Sequence, residues 1–121
     1  MIGYVTVGTN DMARAAAFYD GLLAEFGAKR GWESDRYLAW NFTNGQMFLI
    51  IKPYDGQPAT IGNGVMISLA ATTNAQVDAV YARAIALGAK DEGAAGPRGD
   101  SFYAGYFRDL DGNKLAVFHA G

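Results

Sequence analysis

Apolar and polar positions along the chain change period in a fixed order, and that order occurs twice. Gly3-Tyr4-Val5-Thr6-Val7 alternates as a strand with one buried face does. Asn10-Asp11 then offers a helix start, and Met12, Ala15, Ala16, Tyr19, Leu22, Leu23 and Phe26 follow at helical spacing. Gly27 stands where a glycine ends a helix in the left-handed conformation. The second half repeats the scheme with the strand Val65-Met66-Ile67-Ser68-Leu69, the capping residues Thr72 and Thr73, the stripe Val77, Val80, Tyr81, Ala84, Leu87, and then Gly88. Tyr19 through Gly27-Ala28-Lys29 matches Tyr81 through Gly88-Ala89-Lys90 with one residue deleted.

After each helix the pattern predicts three further strands: 28–33, 36–42 and 46–52 in the first copy, and 89–92, 102–108 and 114–119 in the second. The turn signals Thr43-Asn44-Gly45 and Asp109-Leu110-Asp111-Gly112-Asn113 precede the last strand of each copy. Each half therefore reads β-α-β-β-β, an α+β arrangement. Asp55 through Gly64 is rich in turn residues and lacks either period, so it reads as a linker. Module one spans about 1–54, the linker about 55–64 and module two about 65–121. At about 60 residues neither module is expected to bury its sheet alone, so 1–121 is read as a single domain.

Composition narrows the chemistry. Half of the residues are hydrophobic, enough for a core without staples, and there is no cysteine. Thiolate nucleophiles, thiolate metal sites and disulfides are excluded. The net charge of -2 is spread without a basic block, which speaks against nucleic acid. Apolar runs such as Met47-Phe48-Leu49-Ile50-Ile51 fall well short of the roughly 20 residues of a membrane span. A patterned strand close behind Met1 leaves no room for a signal peptide, so a cytoplasmic protein is expected. His119 is the only histidine and reads as a satisfied or solvent-facing strand-end residue. With serine only at Ser34, Ser68 and Ser101 and no Gly-x-Ser-x-Gly elbow, a hydrolase triad is not expected. Asp109-x-Asp111-Gly112-Asn113 reads as a hairpin turn, since its glycine comes too early for a calcium loop. Glycine-rich Gly93 through Ser101 is not followed by a helix, so it reads as a mobile loop rather than a phosphate cradle.

The tandem repeat, Asn-Asp-Met-Ala-Arg-Ala-Ala-Ala-Phe-Tyr-Asp at 10–20, and Phe-Arg-Asp-Leu-Asp-Gly-Asn at 107–113 together resemble the glyoxalase/bleomycin-resistance/dioxygenase (vicinal oxygen chelate) superfamily. Leu110 stands where that family usually has proline. The resemblance covers essentially the whole chain. It implies two modules forming one cup-shaped mixed-sheet cavity, a small-molecule ligand, and a homodimer.

Most enzymes of that family hold one divalent metal with His or Glu from the first and last strand of each module, and the metal polarises vicinal substrate oxygens. Carried onto this chain by motif, those positions are Tyr4, Met66, Ala116, and either Leu49 or Ile50. No metal or other cofactor is therefore expected, a divalent metal being the alternative. The candidate ligand-binding residues are Tyr4, Trp40, Met66, Arg98, Phe102 and Ala116, with Arg98 suited to an anionic group and the aromatics to a flat or apolar one. Two functions follow: metal-free binding of a small, partly apolar molecule, or a lyase, isomerase or dioxygenase of the glyoxalase type. In the second, Tyr4 would supply a proton and Arg98 would hold an oxyanion.

Overall fold

Two helices organise the chain, and each starts where a side chain can satisfy its first free amides. In the computed structural model, which describes residues 1–121, helix α1 spans Met12–Leu23 and α2 spans Asn74–Ala86. Asp11 accepts from Arg14 N at 3.0 Å, and Thr73 accepts from Gln76 N at 3.0 Å. Each cap replaces a partner the helix cannot provide itself, stabilising it by about 1 kcal/mol. α1 runs into a single 3-10 turn, Ala24–Phe26, and ends at Gly27 with φ 70°. Gly88, at φ 102°, takes the matching place after α2.

The strands are β1 (Tyr4–Gly8), β2 (Lys29–Glu33), β3 (Tyr37–Asn41), β4 (Met47–Ile51), β5 (Ile67–Ala70), β6 (Lys90–Pro97), β7 (Phe102–Arg108) and β8 (Lys114–Ala120). They form two mixed sheets with one topology, β1-β4-β3-β2 and β5-β8-β7-β6. In each, the first strand runs parallel to the last and the others are antiparallel. The β-α-β-β-β repeat expected from the pattern is thus realised in both halves. The chain divides into two compact units, Met1–Ile61 and Gly62–Gly121.

In the first unit α1 covers one sheet face. Phe18, Tyr19, Leu22 and Leu23 are buried against Leu38, Trp40, Phe48 and Ile50, and full burial of each such side chain contributes about 1.5–3 kcal/mol. The Tyr19 ring lies 4.7 Å from Phe48 and 5.9 Å from Trp40. The linker is tied back to this unit by Asn10, whose side chain donates to Ala59 O at 3.0 Å and accepts from Ala59 N at 2.7 Å. In the second unit Val77, Val80 and Ala84 of α2 pack in a core with Leu69, Phe107, Leu115 and Val117.

One segment departs from expectation. Gly93 through Pro97, read from the sequence as part of a mobile loop, continues β6 and pairs with β7: Gly93 opposes Tyr106, Gly96 opposes Ala104 and Pro97 opposes Tyr103. The register shifts between Asp91 and Gly93 and again between Gly93 and Gly96. Bulges absorb the extra residues, so no side-chain period survives to mark the strand. Only Arg98 through Ser101 lies outside regular structure.

Candidate functional site

Each sheet has one face against its helix and an opposite, open face on which Ala39, Leu49, Ala104 and Ala116 are nonetheless buried, and alternation assigns the residues of the regular strands to one or the other. In the second unit, Tyr103 bonds Asp78, His119 bonds Asn74, and Gly105 lies under Tyr81, all three partners being on α2. Residues 103, 105 and 107 of β7 and 115, 117 and 119 of β8 therefore face the helix. Phe102, Ala104, Tyr106, Ala116 and Phe118 lie on the open face. In the first unit, Trp40 donates from Nε1 to Asp20 of α1 at 3.0 Å, which puts Leu38, Trp40, Phe48 and Ile50 on the helix side. Tyr4, Thr6, Leu49 and Ala39 lie on the open side.

These faces place the expected site residues. Tyr4 is on the open face of the first sheet and is 55% exposed. Met66, immediately before β5 and 42% exposed, continues the open-face row of Ser68. Ala116 pairs with Ser68 and Tyr106, and Phe102 stacks on Phe118 with ring centroids 5.5 Å apart. Trp40 does not join them. It is 1% exposed beneath α1, held by Tyr19 and Asp20, and so belongs to the core of its unit.

Pairing also separates Leu49 from Ile50. Leu49 pairs with Thr6, two residues after Tyr4, as Ala116 pairs with Ser68, two residues after Met66. Leu49 is accordingly the repeat equivalent of Ala116, while Ile50 faces α1.

The most strongly charged part of the second sheet's open face centres on Tyr106. Arg98 Cζ lies 5.6 Å and Lys114 Nζ 5.9 Å from its ring centroid. Arg98 is positioned by its own backbone: Nη2 donates to Ala94 O at 2.6 Å and Nη1 to Pro97 O at 3.3 Å. Gly93, at φ 153°, leaves the space, because a Cβ there would stand 3.1 Å from Tyr106 Cδ2 and 3.4 Å from Arg98 Nη2. The bulge at Gly93 is braced by Asp91, which accepts from Gly93 N at 2.8 Å and from Tyr81 Oη at 2.7 Å. Those two bonds, the phenol first, hold the Asp91 carboxyl below its ordinary value. Burial and the same carboxylate push the Tyr81 phenol up to about 12. Neighbouring Arg108 is already matched, its Nε 2.9 Å from Glu92. Lys114, which flanks a turn, carries no sequence signal of a binding role; only pairing of β7 with β8 brings it to Tyr106.

Other clefts differ in character. One of about 90 Å³ lies beside Asn74, Tyr103 and His119. There His119 Nδ1 is 2.9 Å from Asn74 Oδ1, the satisfied strand-end arrangement expected of it. A wider groove of about 490 Å³ runs between α1 and β2 past Asp20 and Arg30. The hydrogen bond from Arg30, ahead of that from Trp40, lowers the pKa of Asp20 against the opposing effect of burial.

The repeated topology and its two open faces define a known class. Residues 1–117 match the family model described as Glyoxalase/Bleomycin resistance protein/Dioxygenase superfamily, and the chain belongs to that superfamily. It is similar to a glyoxalase/bleomycin resistance protein from Albidiferax ferrireducens T118, with 38% identity and TM-score 0.92 over 100% of this chain and 99% of that one. A glyoxalase/bleomycin resistance protein/dioxygenase family enzyme from Burkholderia phytofirmans PsJN shares the fold at 19% identity and TM-score 0.80, covering 98% of each chain. A lactoylglutathione lyase from Agrobacterium tumefaciens shares it at 22% identity and TM-score 0.74, over 98% of this chain and 92% of that one. No match was found among curated proteins. No helix is long and apolar enough to cross a membrane.

Proposed function

We propose that this protein binds a small, partly apolar molecule in a cavity of the family's type, without a metal ion. The observation that carries this reading is the set of side chains at the positions matched to the family's metal ligands. Tyr4, Leu49, Met66 and Ala116 present a phenol, an isobutyl group, a thioether and a methyl group. A hard divalent cation needs nitrogen or carboxylate donors, and two of these four groups donate nothing. The set does not fit such a metal. The same substitutions make the site more apolar, and the Phe102–Phe118 stack beside Ala104 adds aromatic surface that suits a flat or hydrophobic ligand. As the family resemblance implies, the working form is a homodimer; the spread of charge and the short apolar runs favour action in the cytoplasm with no nucleic-acid or membrane partner.

The test is calorimetric titration of metal-stripped protein with a neutral aromatic probe, 1-naphthamide, alongside titrations with zinc, nickel and iron(II). Saturable probe binding that is indifferent to chelator is the expected result. Stoichiometric metal binding that is lost in Tyr4→Phe and Met66→Leu overturns the reading. Turnover of the adduct of methylglyoxal with a thiol, abolished in Tyr4→Phe, replaces binding with catalysis.

A further inference from the structure

We infer that Arg98 and Lys114, set around the Tyr106 ring, form an anion clamp that selects a carboxylate carried on an aromatic or apolar body. The inference rests on the binding function proposed above and names the class of ligand.

Three observations converge on it. First, two cations lie within 6 Å of one ring centroid, and neither has a carboxylate within ion-pair distance, the nearby acid Glu92 being taken by Arg108. An aromatic face attracts a cation only weakly where water can reach it, so both cations keep donors at Tyr106 that an anion can use. Second, the backbone is shaped to seat Arg98. Two register shifts, a glycine at φ 153° and two carbonyl acceptors bring the guanidinium onto Tyr106. Those bonds occupy two of the five guanidinium N–H donors and leave the others for a ligand, while the Lys114 ammonium can offer three. Third, the surroundings are apolar. Phe102, 37% exposed and stacked on Phe118, shares this face with Tyr106, while Ala104 and Ala116 are buried and leave the rings as its accessible apolar surface. A ligand with its carboxylate at the cations can lay its body against these rings.

Sodium 1-naphthoate serves as the probe, with 1-naphthamide as its neutral counterpart and 1-naphthyl phosphate as the dianion. Wild-type protein is expected to bind the naphthoate about tenfold or more tightly than the amide, as a charge-assisted hydrogen bond implies. Arg98→Gln and Lys114→Met should each weaken naphthoate binding by about tenfold and amide binding by much less. Arg98 is exposed and Lys114 half-buried, and matching denaturation midpoints confirm that both variants fold. Equal affinity for naphthoate and amide, unaltered in both variants, overturns the clamp and leaves metal-free binding standing. Failure of naphthoate to bind at millimolar concentration also overturns it, and the amide titration then decides the broader reading separately. Preference for the phosphate over the naphthoate by more than about tenfold overturns the choice of carboxylate.

Discussion

Replacing Gly93 by alanine tests whether the bend of β6 beside Tyr106 requires glycine. Gly93 has φ 153°, a region almost reserved for glycine, and forcing another residue into it costs about 1–3 kcal/mol. The new methyl group would also stand 3.1 Å from Tyr106 Cδ2, so the ring must yield, while Arg98 Nη2 at 3.4 Å stays in ordinary contact. Overpacking of this kind adds about 1 kcal/mol, because the neighbour that must shift is a side chain rather than backbone. The expected loss is therefore about 2–4 kcal/mol, read as a lower urea midpoint at unchanged slope. Gly96 supplies the control. Its φ is not positive, and the nearest atoms to a Cβ there are 3.4 Å and 4.0 Å away. Gly96→Ala should stabilise by about 0.4–1 kcal/mol, since alanine has fewer unfolded conformations to lose. A Gly93→Ala midpoint within about 0.5 kcal/mol of wild type, or equal destabilisation by both substitutions, refutes the reasoning.

Two further expectations concern neighbouring elements. Asp109 is 5% exposed and accepts from the backbone N of Asp111 and Asn113, both at 2.9 Å, and from Asn113 Nδ2 at 3.0 Å. Asp109→Ala should cost about 1–3 kcal/mol by stranding those donors, with Asp109→Asn intermediate; equal stability of Asp109→Ala and wild type in urea would contradict the role given to the turn. The raised pKa of Tyr81 means that the folded chain holds its phenolic proton more tightly than the unfolded chain does. Its contribution is complete below pH 10 and is lost as pH rises towards about 12. Stability measured across that window should fall more steeply in wild type than in Tyr81→Phe, and parallel curves would show that burial and Asp91 do not raise the Tyr81 phenol.

Much of the architecture was legible in the chain itself. Alternation in Tyr4 through Val7, the helical stripe from Met12 to Phe26, the glycines at 27 and 88 and the turn at Asp109 are local signals. Local backbone preference and the burial of one face suffice to produce them. Their repetition specified both modules, the order of the elements and, through resemblance, the family. What stayed hidden depended on partners distant in sequence. Alternation divides Ala39 from Trp40 and Leu49 from Ile50, but only the docking of α1 decides which member of each pair meets a helix. That docking made Trp40 a core residue and Leu49 the counterpart of Ala116. Gly93 through Pro97 looked like a loop because its glycines and bulges erase the period that marks a strand. Lys114 and Tyr106 are eight positions apart in the sequence, and meet because β7 and β8 pair in one particular register. The sequence by itself determined the elements and the repeat, whose causes are local; the tertiary structure alone decided which side chains share a face, because that depends on pairing register and on where the helices lie.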